Sequence, residues 1–390
     1  MPPVASSALS LIAILAIGTV PSATTLAPDS EASLESIDDD SKSRATGAGG
    51  DATALLGSPR DRAVSDAVQS GLAWLVQGQA KNLDGSMAVG ARDQTPVPIA
   101  ATALGALALM AGGNSYDRGK YGAEVARAIN YLLAHCNLDP NHEAFGYIGR
   151  EGAPEAVRMH SHGFATLALA EAFSTSHRSA NGRQLRLALE AAVRRIERSQ
   201  GREGGWFYNP VRNTRHEGSV TICLVQALRA ARDAGIRVDP NVVKRAEEYV
   251  VKSQRENGLF AYEIYKPDAH TSVALTAAGV ATLYSVGEYA GKVVERGMTA
   301  IWRELDLREA GEGKQPRFPY YERLYLSEAM WQHGELEHFE RWSQLEFPRV
   351  LADQESDGRW VDGRYGDSYA TAINCLVLSM KQELLPIFQR

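Results

Sequence analysis

Gln200-Gly-Arg-Glu-Gly-Gly-Trp206 is the stretch on which the fold turns. It ends the segment from Arg186 to Gln200, where apolar residues recur at intervals of three and four while Arg and Glu take the other face. That is the pattern of a helix with one buried side. The same ending returns at Gln254-Arg-Glu-Asn-Gly-Leu-Phe260 and at Gln354-Glu-Ser-Asp-Gly-Arg-Trp360. Each time the order is Gln, three residues, Gly, one residue, aromatic. A glycine there suits the left-handed turn that stops a helix. The Gln amide can bond the orphan carbonyls at the helix end, and the aromatic ring can cover them. Gln200, Gly204, Trp206, Gln254, Gly258, Phe260, Gln354, Gly358 and Trp360 therefore read as structural staples. A degenerate copy runs from Gln79 to Met87.

A second kind of helix alternates with these and is apolar and small nearly all round. Examples are Ile99 to Met110, Gly163 to Phe173, Val220 to Leu228, Val273 to Tyr284 and Ala370 to Met380. A helix with no polar face must be surrounded by protein. Such helices begin near Pro98, His162, Ser219, Thr271, Arg323 and Ser368, spaced on average by about 54 residues. An open solenoid would expose one layer and need polar caps at both ends, so hairpins with a fully apolar inner layer are better satisfied by closing. The expected fold is all-α: an α/α toroid of about six helical hairpins. No stretch reads as a sustained strand.

The chain has 390 residues, 44% of them hydrophobic, and a net charge of −6. Residues 24–58 hold seven acids and two bases, so the body that follows is close to neutral. A neutral body without a basic stripe argues against nucleic acid as a partner. Residues 1–23 carry no charged side chain, and Ala8 to Val20 is an apolar run too short to span a bilayer comfortably. It reads as a cleaved export signal that would send the chain to the periplasm or outside the cell, as an uncleaved anchor that would bring membrane association, or as a cytoplasmic tail. Residues 24–58 read as a disordered acidic linker, since they are nearly free of aromatics. The toroid domain is then 59–390. Cys136, Cys223 and Cys375 have no paired spacing and sit in apolar helical stretches, as small buried hydrophobes do.

The Gln-x-x-x-Gly-x-Trp/Phe endings resemble the repeat of terpenoid cyclases and of protein prenyltransferase beta subunits, over about residues 60–390. The resemblance implies the same toroid, with working residues near the starts of inner helices. Squalene-hopene-type cyclases protonate an alkene with the middle Asp of an Asp-x-Asp-Asp-Thr-Ala motif. The nearest local segment, Pro267-Asp-Ala-His-Thr-Ser272, puts Ala269 at that position. Prenyltransferases take a zinc ligand from Asp-x-Tyr-His-Thr. Here Gly366-Asp-Ser-Tyr-Ala-Thr371 puts Ala370 where the His would be. No Asp-x-Cys follows to supply the other ligands. Neither a metal nor another cofactor is expected.

The inner-helix starts nevertheless gather polar residues at one rim. His160, His162, His216, Glu217, Asp268 and Asp367 are the candidates for acid–base work, because His beside a carboxylate can exchange protons near neutral pH. Capping of the helix starts is the competing role for Asp268, Asp367, Ser219 and Thr271. His270, Phe318, Tyr320, Tyr321, Tyr325 and Tyr365 are candidates for substrate binding, with core packing as the alternative for the aromatics. Three functions stay open: an isoprenoid or other lipid bound in an axial cavity, a non-enzymatic exported scaffold for protein or peptide, and a polysaccharide lyase or hydrolase. Whether the chain catalyses a reaction stays open with them.

Overall fold

The structure is a computed structural model that describes residues 58–88, 96–176, 181–285, 287 and 291–389. The expected export segment and the acidic linker, Ser58 apart, lie outside the described residues. Among the described residues there are twelve α-helices: α1 (Pro59–Gln79), α2 (Pro98–Ala111), α3 (Gly122–Ala134), α4 (Arg158–Ser176), α5 (Gly182–Ser199), α6 (Gly218–Asp233), α7 (Pro240–Ser253), α8 (Val273–Ser285), α9 (Lys292–Glu309), α10 (Pro319–Gln332), α11 (Leu336–Ala352) and α12 (Asp367–Leu378). One two-stranded ladder, β1 (Phe260–Ala261) with β2 (Thr271–Ser272), is the extent of regular strand among them. No described helix is long and apolar enough to cross a membrane.

Odd-numbered helices are amphipathic and even-numbered helices are buried nearly throughout, as the alternation in sequence requires. In α2 every residue from Ile99 to Ala111 is buried, whereas α5 buries its Leu185, Leu189, Val193 and Ile196 side together with Arg195 and the small residues between. The even helices touch in the order α2, α4, α6, α8, α10, α12, and α12 packs on both α1 and α2. The described residues thus form a ring of helices with the apolar layer inside. Local chemistry starts the outer helices. Ser58 and Asp61 form a reciprocal capping box ahead of Pro59, and Asp239 caps α7 ahead of Pro240.

The staples hold one unit to the next. Gln200 Nε2 donates to its own turn at the Gly204 carbonyl (2.8 Å) and to Val242 of α7 (2.8 Å). Gln254 does the same with Gly258 (3.1 Å) and Val293 of α9 (2.8 Å). The degenerate copy also works: Gln79 reaches Gly85 (2.9 Å) and Glu124 of α3 (3.0 Å), and buried Met87 takes the aromatic's place. Trp206 and Trp360 return their indole N–H to Ile196 (2.8 Å) and Val350 (2.7 Å) of the helices they follow. All three cysteines are free and buried.

The C-terminal ends of the inner helices are covered by the chain's own tail. A 3₁₀ turn, Pro386–Phe388, packs on α6 and α10. Ile387 N–H donates to Glu171 of α4 (3.2 Å), and its carbonyl accepts from Gln332 of α10 (3.1 Å). Three inner helices thereby hold one buried residue.

Candidate functional site

The staple of the third unit also sets the mouth of the ring. Glu217 N–H donates to the Trp206 carbonyl (2.8 Å), Trp206 N–H to Thr221 Oγ1 (3.1 Å), and Thr221 Oγ1 back to the Glu217 carbonyl (2.7 Å). This fixes the first turn of α6, and Glu217 caps it by accepting from Val220 N–H at 2.7 Å. Ser219, expected as a capping residue, leaves that role to Glu217 because α6 starts one residue earlier, at Gly218. Two loops pin the neighbouring helix starts. The Tyr208 carbonyl accepts from Met159 N–H of α4 (3.2 Å), and the Tyr262 carbonyl accepts from Gly218 N–H (2.9 Å).

Three side chains meet at this point. His160 Nε2 lies 2.9 Å from Ser219 Oγ, and the Ser219 hydroxyl donates to Glu217 Oε1. The other ring nitrogen of His160 lies 3.2 Å from the Ala156 carbonyl. Burial pushes His160 below its ordinary value, and the Glu217 charge pulls the other way. The tyrosines stand around the group: Tyr208 has its ring 6.2 Å from that of His160, and its hydroxyl meets that of Tyr262. Tyr321 reaches across from α10 with its hydroxyl 3.4 Å from the Ser219 carbonyl. Burial, reinforced by the Glu217 charge, raises the pKa of all three and keeps the phenols neutral.

Tyr321 also belongs to an aromatic bowl of about 80 Å³ formed by the fifth and sixth units. Phe318, Tyr320, Tyr365 and Tyr369 complete its ring-bearing wall, with Asp362, Arg317 and Arg364 at its edge. Phe318 stacks on Tyr365 at 6.4 Å, Tyr365 meets Tyr369 at 5.2 Å, and buried Tyr325 lies under Tyr321 at 4.6 Å. A larger pocket, about 650 Å³, opens between the first and second units among Pro98, Ile99, Tyr147, Arg150, Arg158 and Ser161. No motif in the sequence points to that pocket. Its walls combine the first turns of α2 and α4 with loop residues such as Tyr147 and Arg150, which only the fold brings together.

The remaining candidates lie apart. His162 is fully buried, and its Nδ1 accepts from Ile148 N–H (3.1 Å), the role a Thr hydroxyl plays for Met87, Trp206, Phe260 and Trp360. Burial pushes it down to about 3, so it stays neutral. His216 is bonded to Tyr249 at 3.0 Å, and burial lowers its pKa too. Asp268 and His270 are exposed on the turn between β1 and β2. Asp367 opens α12 and faces Arg359 at 3.3 Å. Thus His160 and Glu217 are brought together, while His162, His216, Asp268, His270 and Asp367 are not part of that group. Ser219, Tyr208, Tyr262 and Tyr369 are neighbours in the group and the bowl that the sequence does not single out as site residues.

Among the described residues one set has the makings of a metal site: His333, Glu335 and His338, with ligand atoms within 4.8 Å of one another. Trp302 Nε1–H donates to His338 Nδ1 (2.7 Å), and Glu335 N–H donates to His333 Nδ1 (3.1 Å). In neutral rings both remaining nitrogens then carry the proton, which leaves no lone pair for a cation. As arranged, the set is a hydrogen-bonded one.

No family profile matches the sequence, and no curated protein is recognisably similar to it. Solved structures share its fold. The type II terpene cyclase MstE from Scytonema superposes with a TM-score of 0.55 at 14% identity, over 83% of this chain and 100% of the cyclase. A variant of the same cyclase in complex with its substrate, geranylgeranyl dihydroxybenzoate, gives 0.55 at 14% identity over 84% and 99%. The GH76 α-mannanase BT2949 from Bacteroides thetaiotaomicron gives 0.50 at 10% identity over 73% and 87%. At these identities the likeness speaks to the fold alone.

Proposed function

We propose that residues 59–390 form a closed α/α toroid of six hairpins, a divergent relative of the terpenoid cyclase group, that binds an isoprenoid or other lipid-like ligand at the mouth of its axis. The aromatic bowl, at about 80 Å³, takes one apolar end of the ligand, and His160, Ser219 and Glu217 serve proton transfer. One observation carries this reading: Tyr321 lines the bowl and at the same time touches Ser219. A site that pairs aromatic walls with a proton-exchanging group at the end of a helix ring is what an acid–base enzyme acting on a lipid needs. The shared fold with a cyclase of geranylgeranyl dihydroxybenzoate supports the ligand class. Export through the apolar run Ala8 to Val20 belongs to the same reading, and N-terminal sequencing of secreted protein tests it.

A second reading has its own support. Asp362, Arg317 and Arg364 beside tyrosines also suit a sugar, and the fold is shared with an α-mannanase. Native purification followed by mass spectrometry of extracted small molecules separates the two. Calorimetric titration with a geranylgeranyl-bearing phenol and with a manno-oligosaccharide completes the comparison. A retained or titrating isoprenoid supports the lipid reading. Binding of the oligosaccharide alone replaces it with the sugar reading, and a ligand-free protein that binds neither sinks both.

A further inference from the structure

We infer that Ser219 is a proton shuttle between His160 and Glu217, so that the two hold one proton between them and exchange it as a unit. The inference deepens the proposed acid–base site and rests on it for its functional meaning. Its structural basis is a count of hydrogens. The Ser219 hydroxyl has a single hydrogen and stands between two groups, 2.9 Å from His160 Nε2 and bonded to Glu217 Oε1. The Ala156 carbonyl, 3.2 Å from His160 Nδ1, can only accept, so Nδ1 carries a hydrogen.

Two arrangements satisfy these contacts, with Val220 N–H and the Tyr262 hydroxyl donating to the Glu217 carboxyl in both. In the first, Nε2 is also protonated and donates to Ser219 Oγ, while Ser219 donates to the Glu217 carboxylate. In the second, Glu217 is the neutral acid and donates to Ser219 Oγ, while Ser219 donates to a neutral His160. They interconvert when the Nε2 proton passes to Ser219 Oγ as the Ser219 proton passes to Glu217. No charge is gained or lost by the set. A neutral His160 with its hydrogen on Nδ1 beside an ionised Glu217 leaves Ser219 with one hydrogen for two lone pairs. With its hydrogen on Nε2 it sets a lone pair against the Ala156 carbonyl at 3.2 Å, so one contact becomes repulsive either way. Both groups protonated would place an uncompensated charge where Glu217 is fully buried. Among the described residues no other charged side chain is hydrogen-bonded to His160, Ser219 or Glu217, and Arg215 and Glu263 act on Tyr208 beside them. Tyr208, Tyr249, Tyr262, Tyr321 and the Cys223 thiol face the set, and burial raises the pKa of each, keeping all five neutral.

The arrangement narrows the chemistry. A proton shared by an imidazole and a carboxylate suits transfer to an oxygen that already accepts hydrogen bonds, such as a carbonyl or ether-type oxygen on a lipid. It does not match the demand of an unactivated alkene carbon. The partial exposure of His160, Ser219, Tyr208, Tyr262 and Tyr321 leaves a way for such an oxygen to approach.

The test needs no ligand. In the full chain, nitrogen-15 NMR of the His160 ring and carbon-13 NMR of the Glu217 carboxyl report the two occupancies directly near neutral pH. The expected result is a combined occupancy of one proton beyond the Nδ1 hydrogen. Ser219→Ala is expected to release it, giving a neutral His160 beside an ionised Glu217, and Ser219→Thr to restore it. Circular dichroism confirms that each variant is folded. A combined occupancy of zero or two in the wild type overturns the inference, as does an unchanged occupancy in folded Ser219→Ala. Failure of the ligand titrations with the shared proton intact would instead remove the ligand reading and leave the shuttle standing.

Discussion

Gln354 Nε2 donates to the carbonyl of Ala67 at 2.9 Å, across 287 positions of sequence. The same amide bonds Gly358 in its own turn at 2.8 Å. Each earlier staple ties an outer helix to the next one along the chain. This one ties the last, α11, to the first, α1, and supports the reading of a closed ring. Gln354→Ala leaves two carbonyls short of a donor, at a cost of about 2 kcal/mol. Gln254→Ala is expected to cost about the same by urea denaturation, since it removes an equivalent pair of bonds. Hydrogen exchange tells the two apart. Gln354→Ala loosens α1 and α12 together, and a loss confined to α11 would count against closure.

The glycine of the staple answers two demands at once. Gly204 has φ of 92°, and a Cβ added there would stand 2.1 Å from the Arg245 carbonyl of α7. Gly204→Ala should therefore cost about 3 kcal/mol, from a left-handed backbone and a steric overlap combined. Gly235 has φ of 84° but nothing within 4 Å of its notional Cβ. Gly235→Ala is expected to cost about 1 kcal/mol, from the backbone alone. Equal melting temperatures for the two variants would show that the close approach carries no weight.

These staples were legible because they combine a periodic helix with a fixed ending. The inner-helix starts follow from the same pattern, and the observed ones at Pro98, Arg158, Gly218, Val273, Pro319 and Asp367 fall within four residues of expectation. Four residues are harmless to a fold and decisive for a site. With α4 starting at Arg158, His160 and His162 both lie on the helix, turned about 200° apart. One side chain reaches α6 and the other replaces a threonine in the wall. Sequence spacing alone gave them equal standing. Ser219 is one of many small residues near helix starts, and its meaning depends on which side chain faces it from the next helix. Tyr208 and Tyr262 each stand two residues past a staple aromatic, so the repeat makes them equivalent, but only the fold shows that their hydroxyls meet beside His160.

The aromatic bowl makes its own prediction. Tyr321→Phe keeps the ring against Tyr325 and removes the hydroxyl that approaches Ser219. Tyr321→Ala removes both. If the bowl holds a lipid, Tyr321→Ala weakens binding about tenfold or more in a calorimetric titration, while Tyr321→Phe changes it by only a few fold. The reverse order, with the hydroxyl dominant, would favour a polar ligand such as a sugar.

Two buried carboxyls give the fold a pH dependence that is separate from the site. Burial pushes Glu171 and Glu328 up to about 8, from an ordinary 4.5. Each group then holds its proton more tightly in the folded chain than in the unfolded one, so stability falls as pH rises from 4.5 to about 8. His162 acts in the opposite sense between about 3 and its ordinary 6.5, and above that it is neutral in both states. From 6.5 to 8 the carboxyls therefore set the slope, at about 1.4 kcal/mol per pH unit for each. Urea denaturation across that interval should show the loss, and the double variant Glu171→Gln with Glu328→Gln should abolish it. Glutamine keeps the acceptor for Ile387 N–H, so the tail stays bound while the ionisable groups are gone. A wild-type stability that is level over this interval would mean that neither carboxyl holds its proton near neutrality. The core would then carry two buried negative charges, and Arg229, which pulls both groups the other way but is already paired with Asp233, would balance them only in part.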